Sequence, residues 1–329
     1  MADTKILITG GAGFIGSHIA QNLVKKEIPV IIQDSFVHYF NPLEPEAQLY
    51  QKYMENRFRG IQNHVTVVRG DTRNKSDLLR VIREQRPTHI IHLAGVPIAD
   101  VSNEHSEEAV GSILTGTINL LEAIRDVDFV ERFVFASSSM VYGDFQRIPA
   151  DEDHPKEPKD VYGGTKLSGE VMTQVFGRRF GVDYTIVRPS AVYGPTDVNR
   201  RVSQIFVENA LRGEELILRG GGQNALDFTY VEDAADGFVR AALEPAAKNQ
   251  VFNITRGEGR TLLEFVEILQ TMIPGIKYKV EPADPHRPNR GSLDISKARE
   301  ILGYLPKYNL ESGLAEYVDF VKSQMDFSK

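Results

Sequence analysis

Short apolar runs alternate with amphipathic stretches through the first half of the chain. The runs at 6–9, 30–33, 65–69, 89–93 and 133–137 are rich in Ile, Val and Phe with little polar alternation, the pattern of strands buried on both faces. Between them, 14–25, 76–84 and 111–125 carry apolar residues at helical spacing, the last with Ile113, Leu114, Ile118, Leu120, Leu121 and Ile124. Such alternation predicts an α/β fold around a doubly wound parallel sheet. A further strand is expected at 184–187, closing in Arg188-Pro189, where the sheet hands over to a second lobe.

The alternation breaks in the second half. Turns at 220–222 and 282–291, rich in Gly and Pro, separate helical patterns at 203–212, 262–272 and 295–302, which predicts a smaller substrate-binding lobe. The expected division gives residues 1–188, with 224–245 returning to them, to the sheet domain, and 189–223 with 246–329 to an interleaved C-terminal lobe. Residues 38–59 are too many for a simple connection, and 44–58 reads as an inserted helix, a surface elaboration.

Directly after Ile6-Leu7-Ile8 comes Thr9-Gly10-Gly11-Ala12-Gly13-Phe14-Ile15-Gly16, with glycine at every third position from Gly10. A strand that turns at once into a helix aims backbone N–H groups at a pyrophosphate. Gly10 suits the tight turn, Gly13 lets the main chain approach phosphate oxygens, and Gly16 lets the helix beginning Phe14-Ile15 pack on the sheet. The second strand ends in Asp34, about twenty residues beyond the glycines. A carboxylate there accepts hydrogen bonds from the ribose hydroxyls and repels a 2′-phosphate, favouring NAD over NADP. These features predict a Rossmann-type domain.

Composition narrows the setting. The 329 residues include no cysteine, which removes disulfides, thiolate nucleophiles and cysteine metal sites together. No apolar run reaches the roughly twenty residues of a membrane span, and Met1 to Lys5 does not read as a secretory leader, so a cytoplasmic location is expected. A net charge of −7 argues against nucleic acid as a partner, although local arginines can still hold a small anion. His18, His92 and His105 lack metal-ligand spacing, and no metal is expected.

Tyr162 and Lys166 stand four positions apart, hence on one face of a helix. A neighbouring ammonium favours the phenolate and makes tyrosine a base able to take a proton from a sugar or alcohol hydroxyl. Upstream, Ser137, Ser138 and Ser139 supply hydroxyls at the C-terminal end of a parallel strand, where open α/β sheets bind ligands.

With these motifs, and with Gly70-Asp71-Thr72, His92-Leu93-Ala94-Gly95, Gly116-Thr117-Ile118-Asn119, Arg188 to Pro195, Asp227 to Ala235 and Asp294 to Ala298, the chain resembles the extended short-chain dehydrogenase/reductase family over nearly its whole length. The similarity is to its NAD-dependent sugar-nucleotide epimerase and dehydratase group, of the UDP-glucose and UDP-glucuronate 4-epimerase kind. The resemblance implies that Asp71 and Thr72 meet the adenine end of NAD, that Leu93, Ala94, Gly95 and Ser137 line the cofactor cleft, and that Pro189 abuts the nicotinamide, with Tyr162 and Lys166 at its ribose. It also implies Ser138 as the catalytic hydroxyl, with Ser139 the runner-up, and Ser138, Ser139 and Ser190 against a nucleotide-diphosphate sugar. A homodimer through the helices at 111–125 and 162–176 is implied as well.

Two departures shape the expectation. Many UDP-sugar epimerases carry Asn and Arg where this chain has Ala191 and Leu226, so charge for the diphosphate is sought in Arg219, Arg287 or Arg290. Relatives that dehydrate or decarboxylate usually carry an acid where this chain has Ser139 and Met140. The expected activity is therefore that of an NAD-dependent sugar-nucleotide 4-epimerase working through a transient 4-keto sugar. A 4-dehydrogenase that releases the 4-keto sugar and a 4,6-dehydratase are the alternatives. A non-catalytic NAD sensor is disfavoured by the intact Ser138, Tyr162 and Lys166.

Overall fold

The structure is a computed structural model that describes residues 4–325, so Met1–Asp3 of the N-terminal stretch and residues 326–329 lie outside the described residues. Seven strands form one parallel sheet: β1 (Ile6–Thr9), β2 (Val30–Asp34), β3 (Val65–Arg69), β4 (His89–His92), β5 (Arg132–Ala136), β6 (Tyr184–Pro189) and β7 (Gln250–Ile254). Their order is β3-β2-β1-β4-β5-β6-β7. The strand order reverses at β1 and β4, and ligands of open α/β sheets bind at that switch, beyond the carboxyl ends of the strands.

Burial on both faces holds the sheet. Along β1, Ile6 and Ile8 pack on one side against α1 (Phe14–Lys25) and a later helix, Val231–Leu243, while Leu7 packs on the other against helices Lys75–Gln85 and Gly116–Ile124. The expected 111–125 helix is split, because Val110–Thr115 forms a π turn that leads into Gly116–Ile124. Ile113 in that turn is fully buried, and a Cβ added to Gly95 would lie 2.7 Å from its Cγ1.

The tyrosine helix, Val161–Phe180, has local signals at both ends. The Asp160 carboxylate accepts the Gly163 N–H at 2.7 Å, and Gly181 closes the helix at φ 72°. These caps fix the helix so that Tyr162 sits in its first turn.

Two assignments change. The segment from 246 was expected in the lobe, yet Gln250–Ile254 returns as the seventh strand, parallel to β6, and helix Ser296–Leu302 packs Ala298 and Leu302 into the sheet core. Its polar Gln250 and Asn253 break the apolar run that marks the other strands, which is why the pattern hid it. The insertion is not a surface elaboration: helix Ala47–Asn56 buries Tyr50 and Tyr53 in a second core with Tyr193, Phe206, Phe265 and Tyr317. Its following residue, Arg57, is also buried. Among the described residues no helix is long and apolar enough to cross a membrane, and no group of three or more His, Asp or Glu gathers to hold a metal.

Candidate active site

The glycine turn runs from β1 into α1. Gly10 takes φ 71°, and an added Cβ would lie 2.7 Å from Ala94 N; one on Gly16 would lie 2.6 Å from Gly10 O. Both positions therefore require glycine. The Ser17 N–H donates to Gly13 O at 3.1 Å, which leaves those of Phe14, Ile15 and Gly16 directed out of the helix end, where an anion is favoured.

A cleft of about 470 Å³ opens from this turn. It is lined by Gly10, Gly13, Phe14, Ile15, Gly16, Asp34, Asp71, Thr72, Leu93, Ala94 and Gly95, so these expected cofactor residues meet in one place. Asp34 accepts the Ala12 N–H on Oδ2 at 2.9 Å and the Phe36 N–H on Oδ1 at 2.8 Å, with lone pairs left for ribose hydroxyls. Asp71 pairs with Arg73 at 2.6 Å. Free helix N–H groups, a turn with no room for a Cβ and a carboxylate at the second strand fit a dinucleotide.

The candidate catalytic side chains gather at the end of β5. Ser137 follows the end of β5 and its N–H donates to Val187 O at 2.8 Å; Ser138 then caps the turn Ser139–Tyr142 by accepting the Met140 N–H at 3.2 Å. Tyr162 faces the Ser138 hydroxyl; burial raises its phenol pKa, while the charge of Arg201 and the hydrogen bond with Ser138 act in the opposite direction. Lys166 Nζ donates to Ala136 O at 2.6 Å and lies 5.8 Å from the centre of the Tyr162 ring. Burial pulls Lys166 down to about 8, with the Glu170 carboxylate opposing the shift. The phenol, hydroxyl and ammonium thus converge at the ends of β5 and β6.

The Ser137 hydroxyl donates to Glu170 Oε1, inside a buried network. Glu170 in turn accepts from Arg188 Nε at 2.8 Å and Nη2 at 2.6 Å, Arg188 Nη1 donates to the Tyr142 hydroxyl at 2.8 Å, and that hydroxyl donates to Asn253 Oδ1 at 2.7 Å. The network braces the strand ends that carry Ser138 and Pro189. Neither Glu170 nor Asn253 was among the expected site residues; Glu170 could have been found four residues after Lys166 on the same helix face, whereas Asn253 lies on a strand that the apolar pattern hid.

The expected diphosphate arginines divide. Arg219 stands 3.8 Å from Glu281, largely exposed, and is not part of the cleft lining. Arg287 is held by Asp100 at 2.7 and 3.0 Å and by Asp284 at 3.6 Å. Among the described residues Arg290 has no partner for its buried Nε, and burial together with Arg287 pulls it down to about 10 against the attraction of Asp160. Asp160 caps the Tyr162 helix and feels the charge of Arg290 from the 282–291 loop. Pro189 and Ser190 sit at and just after the end of β6, with Ser190 buried, and Ser139 is buried beneath its turn. Arg57 and Arg201, which line the cleft, were missed; neither lies in a motif that marks it.

Comparison with known proteins agrees with this geometry. UDP-glucuronate 4-epimerase 3 of Arabidopsis thaliana is 30% identical over 335 residues, covering 95% of this chain and 75% of the relative. The crystal structure of the UDP-glucuronic acid 4-epimerase from Bacillus cereus, in complex with UDP-glucuronic acid and NAD, superposes with a TM-score of 0.88 at 28% identity, covering 98% of this chain and 100% of that one. The UDP-glucose 4-epimerase from Thermotoga maritima, with UDP-glucose, gives 0.86 at 29% identity, with coverage of 98% and 100%. The NAD dependent epimerase/dehydratase family matches residues 6–255. This chain, with its NAD-fitted glycine turn, Asp34 and Tyr162-Lys166 pair, belongs to that family.

Proposed function

We propose that this NAD-dependent sugar-nucleotide epimerase inverts C4 of a nucleotide-diphosphate sugar through a transient 4-keto sugar. The observation that carries the reading is the convergence of Tyr162, Ser138 and Lys166 at the strand ends beside the cofactor cleft, with Ser139 and Met140 where an acid would serve elimination. The nearby Glu170 carboxylate is closed off by Arg188 and Ser137. Relatives named as UDP-sugar 4-epimerases support the same reading and put UDP-sugars first among the substrates.

NAD held at the glycine turn and Asp34 would supply a reversible hydride acceptor for C4 of the sugar. Tyr162, as phenolate, takes the proton of the C4 hydroxyl, and Ser138 donates a hydrogen bond to the oxygen as its charge changes. The Lys166 ammonium favours the phenolate, and after the keto sugar turns, Tyr162 gives the proton back. Arg290, with an unpartnered Nε, and Arg287 meet the anionic part of the substrate.

We further propose a homodimer through the helices at 111–125 and 162–176, the second within helix Val161–Phe180, whose Val171, Val175 and Phe180 are exposed. Sedimentation tests that pairing. The activity is tested by mass spectrometry and NMR of the product after incubating the NAD-loaded protein with UDP-, GDP-, dTDP- and CDP-sugars, while following NADH absorbance. An isomer of unchanged mass without net NADH is expected. A product two hydrogens lighter with NADH formed would make it a 4-dehydrogenase, and loss of water would make it a dehydratase.

A further inference from the structure

The inserted segment begins and ends at the same residue of the glycine turn. On one side Asp34, four residues before the segment, accepts the Ala12 N–H at 2.9 Å; on the other Arg57, after its helix, donates from Nη1 to the Ala12 carbonyl at 2.9 Å. Arg57 also donates from Nη2 and Nε to Thr196 O, at 2.8 and 3.3 Å, so it ties the turn to the loop that follows β6. It is 4% exposed, with the Asp197 and Asp34 carboxylates opposing the effect of burial on its charge. A guanidinium on two carbonyls of different segments fixes both.

The span between these anchors crosses the cleft. Tyr39, near its start, donates its hydroxyl to Glu108 Oε1 at 3.1 Å, and Glu108 belongs to helix Ser106–Ala109 on the opposite wall. Tyr39 and Glu108 both line the cleft, as do Met54 and Arg57 from the other end of the insertion. The buried Tyr50 and Tyr53 moor the insertion's helix in the second core, so the span is fixed at its far end and closed by one hydrogen bond at its near end.

We propose that residues 38–59 form a strap that retains the dinucleotide, with Arg57 as the positioning residue that clamps the glycine turn and the Tyr39–Glu108 hydrogen bond as its release point. Clamping both sides of the Ala12 residue keeps the adjacent N–H groups turned outward. Release of the dinucleotide requires the Tyr39–Glu108 bond to open. This deepens the epimerase reading, in which one cofactor serves repeated turnovers, but its test needs no sugar.

The test uses the full chain loaded with NAD. Radiolabelled NAD bound to the protein is chased with excess unlabelled NAD, and retained label is followed after rapid gel filtration for the parent, Tyr39→Phe, Arg57→Met and Arg57→Lys. Tyr39→Phe removes one hydroxyl at a partly exposed site and is expected to speed release by about tenfold, the loss of one hydrogen bond to a charged acceptor. Arg57→Met is expected to raise the NAD dissociation constant about tenfold, with Arg57→Lys between it and the parent because an ammonium cannot bridge both carbonyls as a fork does. Thermal unfolding without NAD separates this from misfolding. Unchanged release from folded Tyr39→Phe, or parental NAD affinity in folded Arg57→Met, overturns the strap. Failure of epimerisation leaves these readouts intact and would count against the epimerase reading alone.

Discussion

At the cleft, the groups offered to a dinucleotide are main-chain N–H groups of α1 and the carboxylate of Asp34, supplied by one continuous stretch of chain and set by where a Cβ cannot fit. At the end of β5 the candidate catalytic groups are side chains, Ser138, Tyr162 and Lys166, drawn from two elements and braced by Glu170, Arg188, Tyr142 and Asn253 from four. The two regions should therefore fail differently. Steric change in the first removes cofactor, whereas chemical change in the second removes turnover or, where the brace is cut, stability.

The sharpest separation is Tyr162→Phe, expected to lower turnover about a thousandfold while NAD content and unfolding stay at parental values. Steady-state rates beside bound-NAD measurements check it, and undiminished turnover removes Tyr162 as the base. Glu170→Gln leaves the Arg188 guanidinium buried against a neutral partner and should cost about 3 kcal/mol in urea unfolding. NAD affinity, set at the other region, should move little. Gly10→Ala crosses the comparison from the cleft side: with φ 71° and a contact at 2.7 Å, it should cost about 2 kcal/mol and weaken NAD binding, read by equilibrium titration.

A pH test addresses the frame between the two. His92 is fully buried, accepts from the Thr9 hydroxyl on Nδ1 at 2.6 Å and donates from Nε2 to Thr117 Oγ1 at 3.0 Å, whose own proton goes to Ile113 O. Burial lowers it to about 3, and His18 to about 4. A folded value below the unfolded one means the unfolded chain takes the proton first, so the stability these groups confer is present above pH 6.5 and drains as pH falls. Each should account for roughly 1.5 kcal/mol lost between pH 6.5 and 5. His92→Gln, which stays neutral, should flatten that slope in thermal melts; an unchanged slope would mean that His92 does not titrate there. The smallest effect belongs to Ala191, which holds φ 36° after β6. Ala191→Asn should stabilise by about 0.5 kcal/mol, since Asn tolerates that region better.

Legibility followed the same division. Local signals marked the glycine turn, the first six strands, α1 and the Tyr162 helix, because each arises from periodicity or a cap within a few residues. The sequence places three serines at a strand end without saying which way each points; pairing with Glu170 turned the hydroxyl of Ser137 inward. Arg219 stood as a candidate only by charge, and the structure sets it beside Glu281, outside the cleft.

The sequence by itself determined the α/β class, the dinucleotide turn with its preference for NAD, and the Tyr162-Lys166 pair, since backbone sterics and helical spacing are properties of neighbouring residues. Only the tertiary structure decided that Gln250–Ile254 closes the sheet, that the insertion is moored in the second core, and that Arg57 grips Ala12 across 45 residues. Those outcomes depend on which buried polar groups find partners from distant segments. That matching is settled when the whole chain packs, and no local pattern carries it.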